Sequence, residues 1–247
     1  MKLKKLTILL IVIALTSCSN NLKNSELKTE ELRETKHSEI IDGEKKVINK
    51  ETKVFQSGAY TKGFKSDIWL YKIHEEKFEV DWMTYDKGDG LQINKPKDWE
   101  LVANHLVAFN SKGAINGENS QIVVLHKYNN DSLDNFLEEY HALMVNELEE
   151  RYEIVDQTKE CFVNNGDYFI ISKFYFMNNG ELYKCYNLLN EKNDLLTEVT
   201  YYYKSENWKM HYNIFLDFVN GIKFDGVFLT NHEKDLFDPL GFELCSN

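Results

Sequence analysis

An α+β fold built on an antiparallel sheet is what this sequence predicts, and three observations predict it. Two Asn-Gly pairs, Asn165-Gly166 and Asn179-Gly180, separate β-type runs in the second half of the chain. Both residues of such a pair accept positive φ, which a tight hairpin turn requires. Two stretches, 131–152 and 206–221, place apolar residues three and four apart, the period of a helix lying on a core. All 14 Tyr, 15 Phe and 4 Trp lie at or beyond Phe55, so a packed core is expected only from there onward.

The chain begins MKLKKLTILLIVIALTSCSN, with Lys2, Lys4 and Lys5 ahead of an uncharged apolar run over 6–15. A run of that length spans ~15 Å as a helix, about half a bilayer core, which marks a signal-peptide segment rather than a transmembrane span. The sequence Leu15-Thr16-Ser17-Cys18 resembles the lipobox of bacterial lipoproteins, an aliphatic residue and two small residues before a cysteine. That resemblance implies removal of residues 1–17 and a lipid on the Cys18 thiol. With ~0.8 kcal/mol for each buried CH₂, two or three acyl chains make a lasting membrane anchor.

Residues 18–53 are expected to form the lipidated Cys18 and a disordered polar tether. From Ser19 to Lys53 eight basic residues balance eight acidic ones, with few apolar side chains to offset chain entropy. Removing Lys2, Lys4 and Lys5 from the formal net charge of −11 leaves −14, nearly all of it on the folded part. Such a surface repels phosphate backbones, so nucleic acid is excluded as a partner class.

Residues 54–90 are expected to be a small β-hairpin extension. Gly58, Tyr60, Gly63, Trp69 and Tyr71 alternate aromatic and polar positions around a turn. These positions also resemble one partial MORN-type repeat, with Asp67 where a glycine is usual; Asp tolerates positive φ better than most residues. Trp82 and Tyr85 read as a second strand of that layer, and 86–90 (Asp-Lys-Gly-Asp-Gly) as a hairpin turn.

Residues 91–226 carry the main domain and 227–247 a tail. Short strands at 91–94 and 106–110 flank Pro96 and Trp99, and a stronger strand occupies 121–128. The helix over 131–152 is capped at Asp131 or Ser132, and its face of Glu138, Glu139, Glu149 and Glu150 reads as solvated. A meander of 153–163, 167–177, 181–189 and 195–203 follows. The last helix then puts Trp208, Tyr212, Phe215 and Val219 on one stripe and stops at Gly221. Pro96 suits the exit of an edge strand and Trp99 a buried plug, with Lys95, Lys97 and Asp98 as solvated turn residues.

The order Pro96-x-x-Trp99, Ser132-Leu133-x-x-Phe136, Tyr152, Gly166-x-Tyr168, Thr200-Tyr201 and Phe215 to Phe224 resembles the PsbP-like family over about 91–224. The resemblance implies a PsbP-like α/β/α sandwich, a central antiparallel sheet covered by helices on both sides. It also implies a binding or assembly role, and it brings no catalytic residue with it.

Cys161, Cys185 and Cys245 have no CxxC spacing. The two hairpin turns put a third strand between Cys161 and Cys185, too far for a bond that needs Cα atoms within ~7 Å. Cys245 is left with either of them as partner, or none. No nucleophile elbow, zinc helix or phosphate loop occurs, so the sequence predicts no catalytic, cofactor-binding or metal-ligating residue. His126 and His211 read as surface or hydrogen-bonded residues. The clusters Phe174-Tyr175-Phe176 and Tyr201-Tyr202-Tyr203 read as core.

The expectation is therefore a non-catalytic lipoprotein of a bacterial cell envelope, not an enzyme, held to an inner or outer membrane through Cys18 and binding an envelope protein. An alternative is a binding protein for a small apolar or glycan ligand. Less favoured is a hydrolase using His211 with Asp217 or Glu198.

Overall fold

The computed structural model describes residues 43–49, 52–103, 107–111, 121–128, 136–164, 167–192, 195–204, 208–230 and 243–244. They build two antiparallel sheets and two helices. The first sheet is ordered β1 (Gly43–Ile48), β2 (Phe55–Thr61), β3 (Phe64–Ile73), β4 (Glu76–Gly88), β5 (Leu91–Pro96), with two later strands added beyond β5.

The second sheet takes β6 (Glu100–Ala103), β7 (Val107–Asn110) and β8 (Gln121–Tyr128) on one side. After helix α1 (Phe136–Arg151) comes the meander β9 (Glu153–Asn164), β10 (Asp167–Asn178), β11 (Glu181–Lys192) and β12 (Leu195–Tyr203), with β12 pairing β8. Helix α2 (Trp208–Asn220) leads back to the first sheet through β13 (Ile222–Phe224), paired with β5, and β14 (Val227–Phe228). Finally β15 (Glu243–Leu244) pairs β9.

Local chemistry explains the turns and bends. Asn179 and Gly180 have φ of 54° and 79°, the geometry that their sequence predicts for the β10–β11 turn. The Asn165-Gly166 turn lies outside the described residues. Asp67 does adopt a left-handed φ of 57°, beside a bulge between Ser57 and Ala59. Asp89-Gly90 makes the β4–β5 turn. Further bulges fall at Asp86/Gly88, Leu101/Ala103 and Tyr175/Phe176, and the sheets curl.

Three expectations need correction. The architecture is not an α/β/α sandwich: the second sheet carries α1 on one face and α2 on the other, but α2 is itself covered by the first sheet. Ten consecutive residues, Met210 to Val219, are buried. One side of α2 meets β2 and β3 and the other meets β11 and β12. The physical reason lies in the N-terminal strands, which form a broad sheet that continues through β5 and β13 to cover the helix. The boundary expected at residue 91 consequently falls inside a sheet, with one core cluster running from Val54 to Leu229.

The span expected to be a disordered tether, 18–53, contains a strand. Gly43–Ile48 pairs with β2 at the edge of the first sheet, and Asn49 and Thr52 are buried. A polar edge strand needs only backbone partners on one side, so hydrophobic patterning does not reveal it. The signal segment, Cys18, the capping Asp131 and Ser132, and Cys245 lie outside the described residues.

Candidate functional site

The polar groups concentrated in the core begin with α2. Its residues Asn213 and Asp217 stand one turn apart and face the first sheet. Lys65 Nζ lies 2.8 Å from Asp217 Oδ2, with both side chains almost wholly buried. Tyr71 donates its hydroxyl to the same oxygen at 2.6 Å. Trp82 Nε1 donates to Tyr71 Oη at 3.1 Å, and Lys65 also donates to Gln56 Oε1 at 2.6 Å. Gln56 and Asn49 donate in turn to Asn213 Oδ1, whose amide nitrogen donates to Thr52 Oγ1 at 2.8 Å.

Aromatic faces complete the cation's surroundings. Lys65 Nζ sits 3.7 Å from the Trp69 ring centroid and 5.0 Å from that of Tyr71. Trp69 itself lies flat on Gly58, where an added Cβ would meet its ring at 2.5 Å. The glycine and tryptophan of the repeat-like motif are therefore one packing unit. Burial pushes the Asp217 carboxyl up while Lys65 and Tyr71 oppose it, and burial followed by the Asp217 charge raises Tyr71. One carboxyl oxygen, Asp217 Oδ1, has no hydrogen-bond partner.

On the opposite side of α2, His211 Nδ1 is 2.7 Å from Tyr201 Oη, and its ring stacks on Tyr203 at 4.4 Å. Tyr203 donates to Tyr186 Oη at 2.8 Å. Burial, then the nearby Lys184 charge, brings the His211 pKa down to about 3, so the ring is neutral. Trp99 stacks between Tyr201 and Phe218 at 5.8 and 6.4 Å and is 1% exposed, so it is the plug its position predicts.

Lys95 is not a solvated turn residue. It is buried, and its ammonium donates to the carbonyls of Pro96 at 3.1 Å and Trp99 at 2.8 Å, tying down the β5–β6 turn. Lys97 is exposed as expected and pairs with Asp81 at 2.8 Å.

The residues of the hydrolase alternative are not brought together. His211 contacts tyrosines of β12, whereas Asp217 contacts β3 on the other side of the helix. Glu198 lies on the opposite face of β12 from Tyr201, under α1, where Tyr140 donates to it at 2.7 Å. Cys161 and Cys185 are free thiols opposite Ile170 and Phe174, with β10 between them. The side chain of His126 lies outside the described residues, and among those residues no group of three His, Cys, Asp or Glu side chains could hold a metal.

Sequence reasoning missed the Lys65–Asp217–Gln56–Asn213 network. The signal available was a pair of polar residues, Asn213 and Asp217, four apart within the mostly apolar run 212–219.

Comparison with known proteins gives only distant likenesses. No family model matches, and no curated protein does. Among solved structures, the cyanobacterial PsbP of Synechocystis sp. PCC 6803 is similar at 11% identity and a TM-score of 0.41. That match covers 59% of this chain and 93% of that one. A Pseudomonas aeruginosa protein of unknown function is similar at 12% identity and a TM-score of 0.35, covering 60% of this chain and 90% of that one.

Proposed function

We propose that the chain is a lipid-anchored, non-catalytic module of a bacterial cell envelope that binds a protein partner or stabilises an assembly. The observation that carries this reading is Leu15-Thr16-Ser17-Cys18 at the end of a charged and then apolar leader. Anchoring through lipid is compatible with a folded part in which no described helix is long and apolar enough to cross a membrane. Two features support a binding role. The strongest acid–base candidates, His211 and Asp217, are engaged in internal contacts. The order of motifs from Pro96 to Phe224 resembles the PsbP-like family, and that resemblance implies a binding or assembly role.

Two experiments test it. Replacing Cys18 by Ala should leave unprocessed precursor and abolish incorporation of labelled fatty acid. Cross-linking and affinity purification with the anchor intact should then recover a discrete envelope protein. Unchanged fatty-acid labelling in the Cys18→Ala chain would remove the anchor from the proposal.

A further inference from the structure

The face of the second sheet beneath α1 is interrupted by a row of polar side chains. Lys159, Ser172, Asn187 and Thr200 stand opposite one another on β9, β10, β11 and β12, so they share one face. Ser172, Asn187 and Thr200 are 0, 1 and 5% exposed. The row parts the apolar packing under α1 into two clusters, one around Ile170 and Leu189 and another around Phe174 and Phe176. A sheet that only had to hold a helix would be apolar here, since buried polar groups are costly unless satisfied.

Satisfaction is incomplete. Asn187 Nδ2 donates to Glu198 Oε1 at 3.0 Å and to Thr200 Oγ1 at 2.8 Å, but Asn187 Oδ1 is buried without a partner. Glu198 takes its other hydrogen bonds from Tyr140 at 2.7 Å and Thr200 at 3.0 Å, so the described donors to this carboxylate are neutral. Lys159, at the far end of the row, is paired with Glu138. What remains open is an acceptor in the same hydrogen-bonded cluster as an acidic group.

We infer that this row is a binding site for a small primary ammonium group, which donates to Asn187 Oδ1 and is charge-balanced by Glu198. A neutral alcohol would fill the acceptor but leave the charge, and an anion would be repelled by it. Helix α1 is the roof. Only Phe136, Leu137 and His141 of its residues are buried, and two of its contacts downward are polar: Tyr140 to Glu198, and His141 Nε2 to Ser172 Oγ at 2.6 Å. Lys159 is exposed and Tyr140 and Glu198 are half-buried, so both ends of the row lie closer to solvent than Asn187 does. The site does not depend on lipid at Cys18 or on an envelope partner, so its failure would leave the proposed anchoring intact.

The probe is methylammonium, with tetramethylammonium as the control of equal charge that lacks N–H donors. Titrated into the full chain, methylammonium should move the Asn187 side-chain amide resonances saturably, with a dissociation constant in the millimolar range that two non-hydrogen atoms allow. Tetramethylammonium should not. Glu198→Gln keeps the shape and most hydrogen bonds and is expected to weaken methylammonium at least tenfold. Asn187→Asp, which adds a second acidic acceptor, is expected to tighten it. Equal responses to the two cations, unchanged affinity in Glu198→Gln, or crystals soaked in saturating methylammonium that show only an ordered water on Asn187 Oδ1 would each overturn the assignment.

Discussion

The two helices lie on opposite faces of one sheet and are held in opposite ways. Helix α2 is enclosed, with ten consecutive residues buried between two sheets. Helix α1 buries three of its 16 residues and reaches the sheet beside them largely through half-buried side chains and polar contacts. The α2 side is a single core cluster, whereas the α1 side is split in two by the polar row. The difference teaches that a polar residue on a helix does not by itself mark a solvent face. Asn213 and Asp217 are buried because the first sheet supplies Gln56, Lys65 and Tyr71 as partners.

The comparison can be broken hardest at Asp217. Asp217→Ala removes the carboxylate that pairs with the buried Lys65 charge, and should cost about 3–5 kcal/mol in chemical denaturation. The double change Lys65→Met with Asp217→Leu should recover most of that loss, because an apolar pair avoids the desolvation penalty. Trp99→Ala removes a buried plug from the same core and should cost a similar ~3–5 kcal/mol. Gly58→Ala, whose Cβ would press on the Trp69 ring, should cost about 1–3 kcal/mol. On the outer face of α1, Leu143→Ala should stay within about 0.5 kcal/mol, since Leu143 is 63% exposed.

Acid should sharpen the same contrast. Both helices carry a histidine whose pKa is lowered in the fold, His211 to about 3 by burial and then Lys184, and His141 by burial and then Lys159, with Glu138 opposing. A base whose folded pKa lies below its unfolded value contributes stability that is complete above the unfolded pKa, ~6.5, and is lost as pH falls. For His211 the loss should run from ~6.5 down to about 3. His211→Phe should flatten that slope in denaturation midpoints measured against pH, and an unchanged slope would assign the loss to other groups.

Much of the second sheet was legible in the sequence. The meander, both helices and the Asn179-Gly180 turn follow from periodicity and turn chemistry, and the burial of Trp99 from its position after Pro96. The first sheet was legible only as a hairpin. Its edge strand β1 is polar and shows no apolar alternation, and nothing local in Lys65 or Gln56 announces that each meets α2 about 150 residues later. Lys95 was misread for a related reason. A lysine beside a proline turn has the composition of solvent, yet its ammonium serves as a cap for three turn carbonyls. Glu198 and Asn187 gave no motif because they gather across strands rather than along one.

The most direct test of the enclosed helix against the peripheral one is native-state hydrogen exchange of the full chain in low denaturant. Amides of α2 should exchange only through global unfolding, with free energies equal to the total stability. Those of α1 should open at a distinctly lower free energy, in a step with little dependence on denaturant. If α1 were protected as fully as α2, or if α2 opened first, the contrast between an enclosed and a peripheral helix would be wrong.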